Sequence, residues 1–470
     1  MTATPWQPSN KWLLYFVIAF IIVFIGIGAA IAPIYLAIFS MVPVFIILAC
    51  WKFRIAVLIM LVLATGLIPK TLTPTIPFLG GRIRAEDMFL MLLVIISTLR
   101  LIVRVDRFQN HPLFYPLYFF AVLVVFSLLT AYLNDNKPKL IMFEFRTTLY
   151  WFYAALLCIS IKREEHFRTT INLIVLLSSL VAAAAVFQSF TGIQILTDNL
   201  LTPLITTGAG INYDINRSFL GSFESFIIFS LVLMLARLVR RDISPFIAVP
   251  LLLLFTLGLI VNFGRALWGV TFVIVFIASV WLGWRSFVKI WVALLFISSV
   301  IASTSFLIAP QLFNAILSRA TSVSEEVQQG GSWGWRVIEM ENAIKTIKKH
   351  PISGIGLGGM YIAPQDLDKG KIDESAATSH NSYLYIALKF GLLGLLFPLW
   401  LSVALLLKTK QIGDTLSIAI GSAFMSPVLL GYTQMEWAHM FGVLFMATMV
   451  GLLVTHERLK NNLKKPAATK

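Results

Sequence analysis

Cysteine is nearly missing from this chain. Cys50 and Cys158 are the only two, each inside an apolar run, so neither a disulfide framework nor a cysteine-based metal site is expected, and both read as buried thiols. Charge is scarce as well, at 13% of residues, and the acids are outnumbered, 22 Asp and Glu against 37 Lys and Arg. With 58% hydrophobic residues and a mean hydropathy of +0.86, the composition is that of a polytopic membrane protein. The net charge of +15 does not point to nucleic acid, because the basic residues are scattered through short loops between apolar segments. There is no internal repeat, no low-complexity segment and no nucleotide-binding motif. Neither a His-Glu spacing nor an Asp cluster suits a metal ion, so no cofactor is expected. No small-x-small cleavage site follows the first apolar run, which reads as a retained helix rather than a signal peptide.

Long apolar runs, by contrast, are abundant. Segments able to cross, or nearly cross, a hydrocarbon core of about 30 Å lie near 12–32, 34–51, 55–69, 86–103, 113–132, 147–161, 169–188, 219–236, 246–263, 266–284, 289–309, 383–407, 413–432 and 438–455. Two of them are short, so an all-α bundle of about twelve to fourteen spans is expected. With a cytoplasmic N-terminus, every short loop assigned to the cytoplasm carries Lys or Arg, as the positive-inside rule requires. His111, His166 and His456 then fall on the cytoplasmic side. The loops 70–85, 133–146, 189–218 and 433–437, the tight turn Asn262 to Arg265, and His350, His380 and His439 fall on the outer side. The chain is read as one polytopic domain over 1–470, with a large outer loop at 310–382 and a short basic tail without a soluble C-terminal domain.

The longest polar interval runs from Ser332 to Leu396. Ser332 reads as an N-cap, and Trp333, Val337, Met340, Ile344 and Ile347 recur at helical spacing, while Arg336, Glu339, Lys345, Lys348 and Lys349 fall away from that stripe. This amphipathic helix suits either a bilayer surface or the side of a bundle, and His350-Pro351 ends it. Gly354-Ile-Gly356-Leu-Gly358-Gly359 formally satisfies G-x-G-x-x-G, but a helix precedes it and a polar loop follows, the wrong context for a dinucleotide site. His380-Asn381-Ser382-Tyr383 then stands where the next apolar helix begins.

Two arginines lie against apolar helices on the outer side: Arg217, expected to open the eighth span, and Arg265 in the turn before the tenth. An ionisable group there is costly unless partnered, which marks a functional residue; the alternative is snorkelling to lipid headgroups. Two guanidinium forks suit a diphosphate at a membrane surface. Glu224, seven residues after Arg217 and expected on the same helical face, serves either as its ion-pair partner or as a base. His380 is suited to take a proton from a sugar hydroxyl at neutral pH, or equally to be an interfacial histidine bonded to a loop carbonyl. Glu436 and His439 form an i, i+3 pair at another outer helix end, read as structural, with lining an acceptor site as the alternative.

The outer-loop pattern formed by Arg336, Glu339, His350, Pro351, Gly354, Gly356, Gly358, His380, Asn381, Tyr383, Gly391 and Gly394 resembles the O-antigen ligase and polymerase superfamily of bacterial envelope glycosyltransferases. The resemblance implies a metal-independent, inverting transfer at the periplasmic face of the inner membrane. The donor would be a glycan on undecaprenyl diphosphate, and the acceptor a lipid A-core sugar in a ligase or a second lipid-linked glycan in a polymerase. It also implies roles: Arg217 and Arg265 grip the diphosphate and His380 activates or orients the acceptor hydroxyl. Arg336, Asn381, Tyr383 and Glu224 join Arg217 and Arg265 as candidate substrate-binding residues. A lipid-linked sugar transporter is the reading from another class, disfavoured because no inverted repeat is found and the polar residues gather on one side.

Overall fold

A computed structural model of the protein describes residues 43–68, 76–78, 81–106, 108–196, 201–205, 212–220, 223–321, 332–362 and 376–464. The span expected at 12–32 lies outside them. The chain separates into two units, 1–56 and 57–470. In the first, residues 43–51 are helical, and Cys50 is exposed rather than buried. It shares its outward side with Val44, Ile47 and Trp51, a face that is apolar because it suits lipid rather than a protein core.

The second unit is an all-α polytopic bundle. Its helices are α1 (Phe53–Leu63, which crosses the unit boundary), α2 (Ala85–Ile102), α3 (Tyr115–Leu133), α4 (Pro138–Thr148), α5 (Phe152–Ser160), α6 (Glu164–Thr191), α7 (Glu224–Arg240), α8 (Pro245–Ile260), α9 (Arg265–Trp281) and α10 (Trp284–Ile308). After these come α11 (Pro310–Thr321), α12 (Ser332–Lys349), α13 (Ser382–Phe390), α14 (Leu396–Ile412), α15 (Thr415–Leu430) and α16 (Met440–Lys464). Among the described residues, five helical segments are long and apolar enough to cross a membrane, namely Pro112–Leu133, Glu164–Thr191, Trp284–Ile308, Leu392–Ile412 and Met440–Leu463, and α1, α8, α9 and α15 are shorter apolar helices. The only strands among the described residues form two antiparallel hairpins, β1 (Ile76–Phe78) with β2 (Gly81–Ile83), and β3 (Leu201–Ile205) with β4 (Asn212–Ser218).

The core sits on α7 and α16. Every residue from Glu224 to Ala236 is buried, and 89% of the α16 span is buried against 22% for α10. A helix apolar all round belongs at the centre, because no face has to meet water. Hydroxyls knit these helices where lipid supplies no hydrophobic drive: Ser230 Oγ donates to Ser178 Oγ at 3.0 Å, Ser178 Oγ to the Phe226 carbonyl at 3.1 Å, and Ser426 Oγ to Ser225 Oγ at 3.0 Å.

Loops expected on one side meet at one end of the bundle. His456 reaches Asp414 at 2.7 Å, Lys408 and His111 reach Glu457 at 2.7 and 2.9 Å, and Arg100 and Lys162 share Asp106. At the opposite end Ser382 N donates to the Gly431 carbonyl at 2.8 Å and Asn136 Nδ2 to the Leu357 carbonyl at 2.9 Å.

Three expectations are corrected. The outer loop placed at 133–146 is largely α4, continued by a 3-10 turn at Leu149–Trp151 into α5, so the short sixth span is the end of a longer helical run. The span at 383–407 breaks at Gly391 (φ +73°) into α13, a 3-10 turn and α14. On α12 the packing face is not the anticipated stripe, since Met340 and Ile344 are exposed. Of that stripe Ile347 does face inward, joined by Trp335, Glu339 and Ala343, because small Ala343 permits the close approach that bulkier neighbours prevent.

Candidate active site

The site begins at the turn between α8 and α9, where Phe263 adopts φ +52°. Its three successive carbonyls all point outward to donors. Val261 accepts from Ser218 N at 3.1 Å, Asn262 from Arg217 Nε at 2.8 Å, and Phe263 from Arg319 Nε at 3.2 Å. Arg265 is the first residue of α9. Arg217 is therefore bonded to the turn that leads into Arg265, and Arg319 on α11 is an addition that sequence reasoning missed, its only signal being a basic residue in the long outer loop. Arg217 is further fixed by its guanidinium lying 4.0 Å from the centre of the Phe219 ring.

Arg217 does not open the eighth span. It sits on β4, paired with Thr202, and α7 starts only at Glu224, so the expected two-turn helical relation to Glu224 is wrong. The hairpin is held by the end of α6, where Ser189 Oγ donates to the Asn216 carbonyl at 2.6 Å and Gln188 meets Ser218. Glu224 is instead the buried first residue of α7. With the Gln434 amide turned so that its nitrogen faces both acids, Gln434 donates to Glu224 at 3.1 Å and to Glu436 at 3.0 Å. Burial pushes the Glu436 carboxyl up to about 7.

His380 lies at the same end of the bundle. Its Nδ1 is 2.9 and 3.0 Å from the two oxygens of Glu339, which also accepts from Trp335 Nε1 at 2.8 Å. A carboxylate only accepts, so Nδ1 carries the proton and Nε2 is left with its lone pair. Glu339 is 3% exposed while the His380 side chain is 51% exposed, the arrangement of a buried orienting acid and an accessible base. Glu339, read from sequence as facing away from the packing stripe, is thus a second residue that sequence reasoning did not place in the site.

A small cavity of about 90 Å³ beside this pair is lined by Arg336, Glu339, His380, Asn381, Tyr432 and Thr433 among others. It fits a hydroxyl or a ring edge rather than a whole lipid-linked sugar. Asn381 is also the N-cap of α13, accepting from the amides of Tyr383 and Leu384. Tyr383 points elsewhere, its hydroxyl donating to the Val428 carbonyl at 2.6 Å. Among the described residues neither Arg217 nor Arg265 lines the His380 cavity. The connection runs through the loop between α15 and α16: Tyr432 and Thr433 line the cavity, Gln434 reaches the two acids, and Ser382 Oγ donates to the Gln434 carbonyl at 2.8 Å.

The glycine run supports this end from below. Gly354, Gly356 and Gly358 all have positive φ, and an added Cβ would come within 2.5 Å of the Leu388 carbonyl, 2.5 Å of Ala131 N and 2.6 Å of Ile141 N. Only glycine lets this loop lie flat on α3, α4 and α13. The Gly358 amide donates to Glu144 at 2.6 Å, and Glu144 pairs with Lys389 at 2.9 Å, both side chains being buried. The acceptor for this glycine amide is thus an internal carboxylate.

No group of three or more His, Cys, Asp or Glu able to hold a metal ion occurs among the described residues. No curated protein matches the chain. Residues 250–399, which include Arg265, Arg319, Arg336, Glu339 and His380, match the family model described as O-antigen ligase. The match covers the patterned outer loop as well as the arginine-bearing turn, so this part of the chain is similar to the O-antigen ligase family.

Proposed function

We propose that this chain is a ligase-type glycosyltransferase of the bacterial inner membrane. It transfers a glycan from undecaprenyl diphosphate to a hydroxyl of a lipid A-core or similar acceptor at the periplasmic face, with inversion and without a metal ion. The observation that supports the reading is the α8–α9 turn, whose carbonyls accept from Arg217 and Arg319 and which leads into Arg265. Guanidinium groups stay charged at any working pH and match phosphate oxygens in pairs.

In this reading Arg217 and Arg265 hold the donor diphosphate, with Arg319 adding a third positive charge. The acceptor hydroxyl enters beside Arg336 and Asn381 and gives its proton to His380 Nε2, while Glu339 keeps the ring oriented and stabilises the imidazolium. The acceptor oxygen bonds to the anomeric carbon from the face opposite the diphosphate, the carbon–oxygen bond to the diphosphate breaks, and its electron pair leaves on a phosphate oxygen stabilised by the arginines. The products are the glycosylated acceptor and undecaprenyl diphosphate, and His380 returns its proton to water.

The test is the size and attachment of surface glycan in a strain lacking the gene, complemented with the natural chain, Arg265→Ala or Arg265→Lys. Long glycan left on undecaprenyl diphosphate, rescued only by the natural chain, is the expected result. Acceptors carrying no more than one repeat unit would mean a polymerase. Donor retained at the cytoplasmic face would mean a transporter, and full rescue by the lysine variant would overturn the diphosphate clamp.

A further inference from the structure

A cavity larger than the one at His380 lies at the opposite end of the bundle. About 560 Å³ lies between α2, α3 and α5, walled by residues such as Val94, Phe120, Ala121, Leu149 and Ala155. Its wall is dry. The hydroxyls of Thr98 and Thr148, which line it, are turned back onto the carbonyls of Val94 and Phe145. Along α3 it reaches from Phe114 to Val125, roughly 16 Å at the helical rise, about the depth of one bilayer leaflet.

At its mouth, Phe108 and Ile159 also line a second cavity of about 300 Å³ with a different chemistry. Here the lining is Gln109, Asn110, His111, Glu457, Arg458, Asn461 and Asn462 among others. Glu457 is already neutralised, by Lys408 at 2.7 Å and by a hydrogen bond from His111 Nε2 at 2.9 Å. The Leu113 amide donates to His111 Nδ1, so that ring is the neutral tautomer. Arg458 donates to the Ile161 carbonyl, and among the described residues no carboxylate forms an ion pair with it. A cation with amide donors around it thus adjoins a hydrocarbon slot one leaflet deep.

We propose that the two cavities form one site for an anionic phospholipid of the leaflet opposite the active site, with Arg458 binding its phosphate and the slot between α2, α3 and α5 taking a chain. Polar heads and apolar chains must be satisfied together in such a site, and a basic pocket at a helix-bundle end is suited to an anionic headgroup. This inference is independent of the donor chemistry and concerns the end of the bundle remote from His380.

The test uses the full chain purified in detergent, with phosphatidylglycerol, phosphatidylcholine or soluble glycerophosphate added, read by native mass spectrometry and thermal unfolding. Phosphatidylglycerol is expected to stay bound and to raise Tm by several degrees, since a ligand of the folded state alone stabilises it. Phosphatidylcholine is expected to be held at least tenfold more weakly and glycerophosphate to leave Tm unmoved. Arg458→Gln should abolish the preference for phosphatidylglycerol, and Ala155→Phe, which fills the slot, should lower its retention at least tenfold. Equal retention of both lipids, a glycerophosphate shift as large as that of the lipid, or unchanged retention in Ala155→Phe would overturn the proposal. If Arg458→Gln fails to fold, Ala155→Phe decides alone.

Discussion

Glu339 holds His380 with both carboxylate oxygens and takes a third hydrogen bond from Trp335, so the imidazole has one available tautomer. Glu339→Gln keeps the size but replaces one acceptor with a donor. Glycan transfer is expected to slow by up to about 10²-fold, the lower end of what a general base contributes, with donor binding unchanged; single-turnover rates beside donor-binding measurements check it. Glu436 gives a pH signature. Its carboxyl is raised from 4.5 to about 7 by burial, so the folded state favours the proton, and the associated stability is full below pH 4.5 and lost as pH rises through 7. Glu436→Gln, neutral throughout, is expected to unfold a few degrees higher than the natural chain at pH 8 and at the same temperature near pH 4, measured by thermal unfolding in the two buffers. His380 and the two outer arginines stand out in the sequence as chemistry beside apolar helices. Glu339 does not, because the large apolar side chains of α12 suggest one packing face while Ala343, which carries little hydropathy, selects another.

At the scale of elements, the segment from Gly354 to Gly359 behaves as a plate laid on α3, α4 and α13. Gly356→Ala would place a Cβ 2.5 Å from Ala131 N at φ +75°, and the combined overlap and backbone strain are expected to cost about 1–3 kcal/mol. Gly334→Ala, with nothing within 4 Å and inside α12, is the matched control and should be neutral or stabilising by up to about 1 kcal/mol. Thermal unfolding of the two variants in one detergent checks both. Helices were legible wherever an apolar run was long, as for α6, α10 and α16. The hairpin carrying Arg217 was not, because β3 and β4 are short and their pairing depends on Gln188 and Ser189 at the end of α6 rather than on a hydrophobic alternation of their own. Likewise α4, with Lys139, Glu144 and Arg146 among its apolar residues, lacks the hydropathy of a span and hides as a loop.

Across the whole molecule, the pair Glu144 and Lys389 joins the first half of the described bundle to the second. Lys389 also donates to the Gly359 carbonyl at 2.7 Å, and its own carbonyl accepts from Ser127 at 2.8 Å. Removing one partner leaves the other charge buried and alone, so Lys389→Met is expected to destabilise by about 3–5 kcal/mol. The double variant Glu144→Gln, Lys389→Met should recover part of that, because Gln still accepts from the Gly358 amide and no charge remains unpaired; unfolding curves of the single and double variants measure the difference. The same pairing sets an order on biogenesis. Glu144 is synthesised well before Lys389, so the buried pair can close only after the second half of the chain has been made.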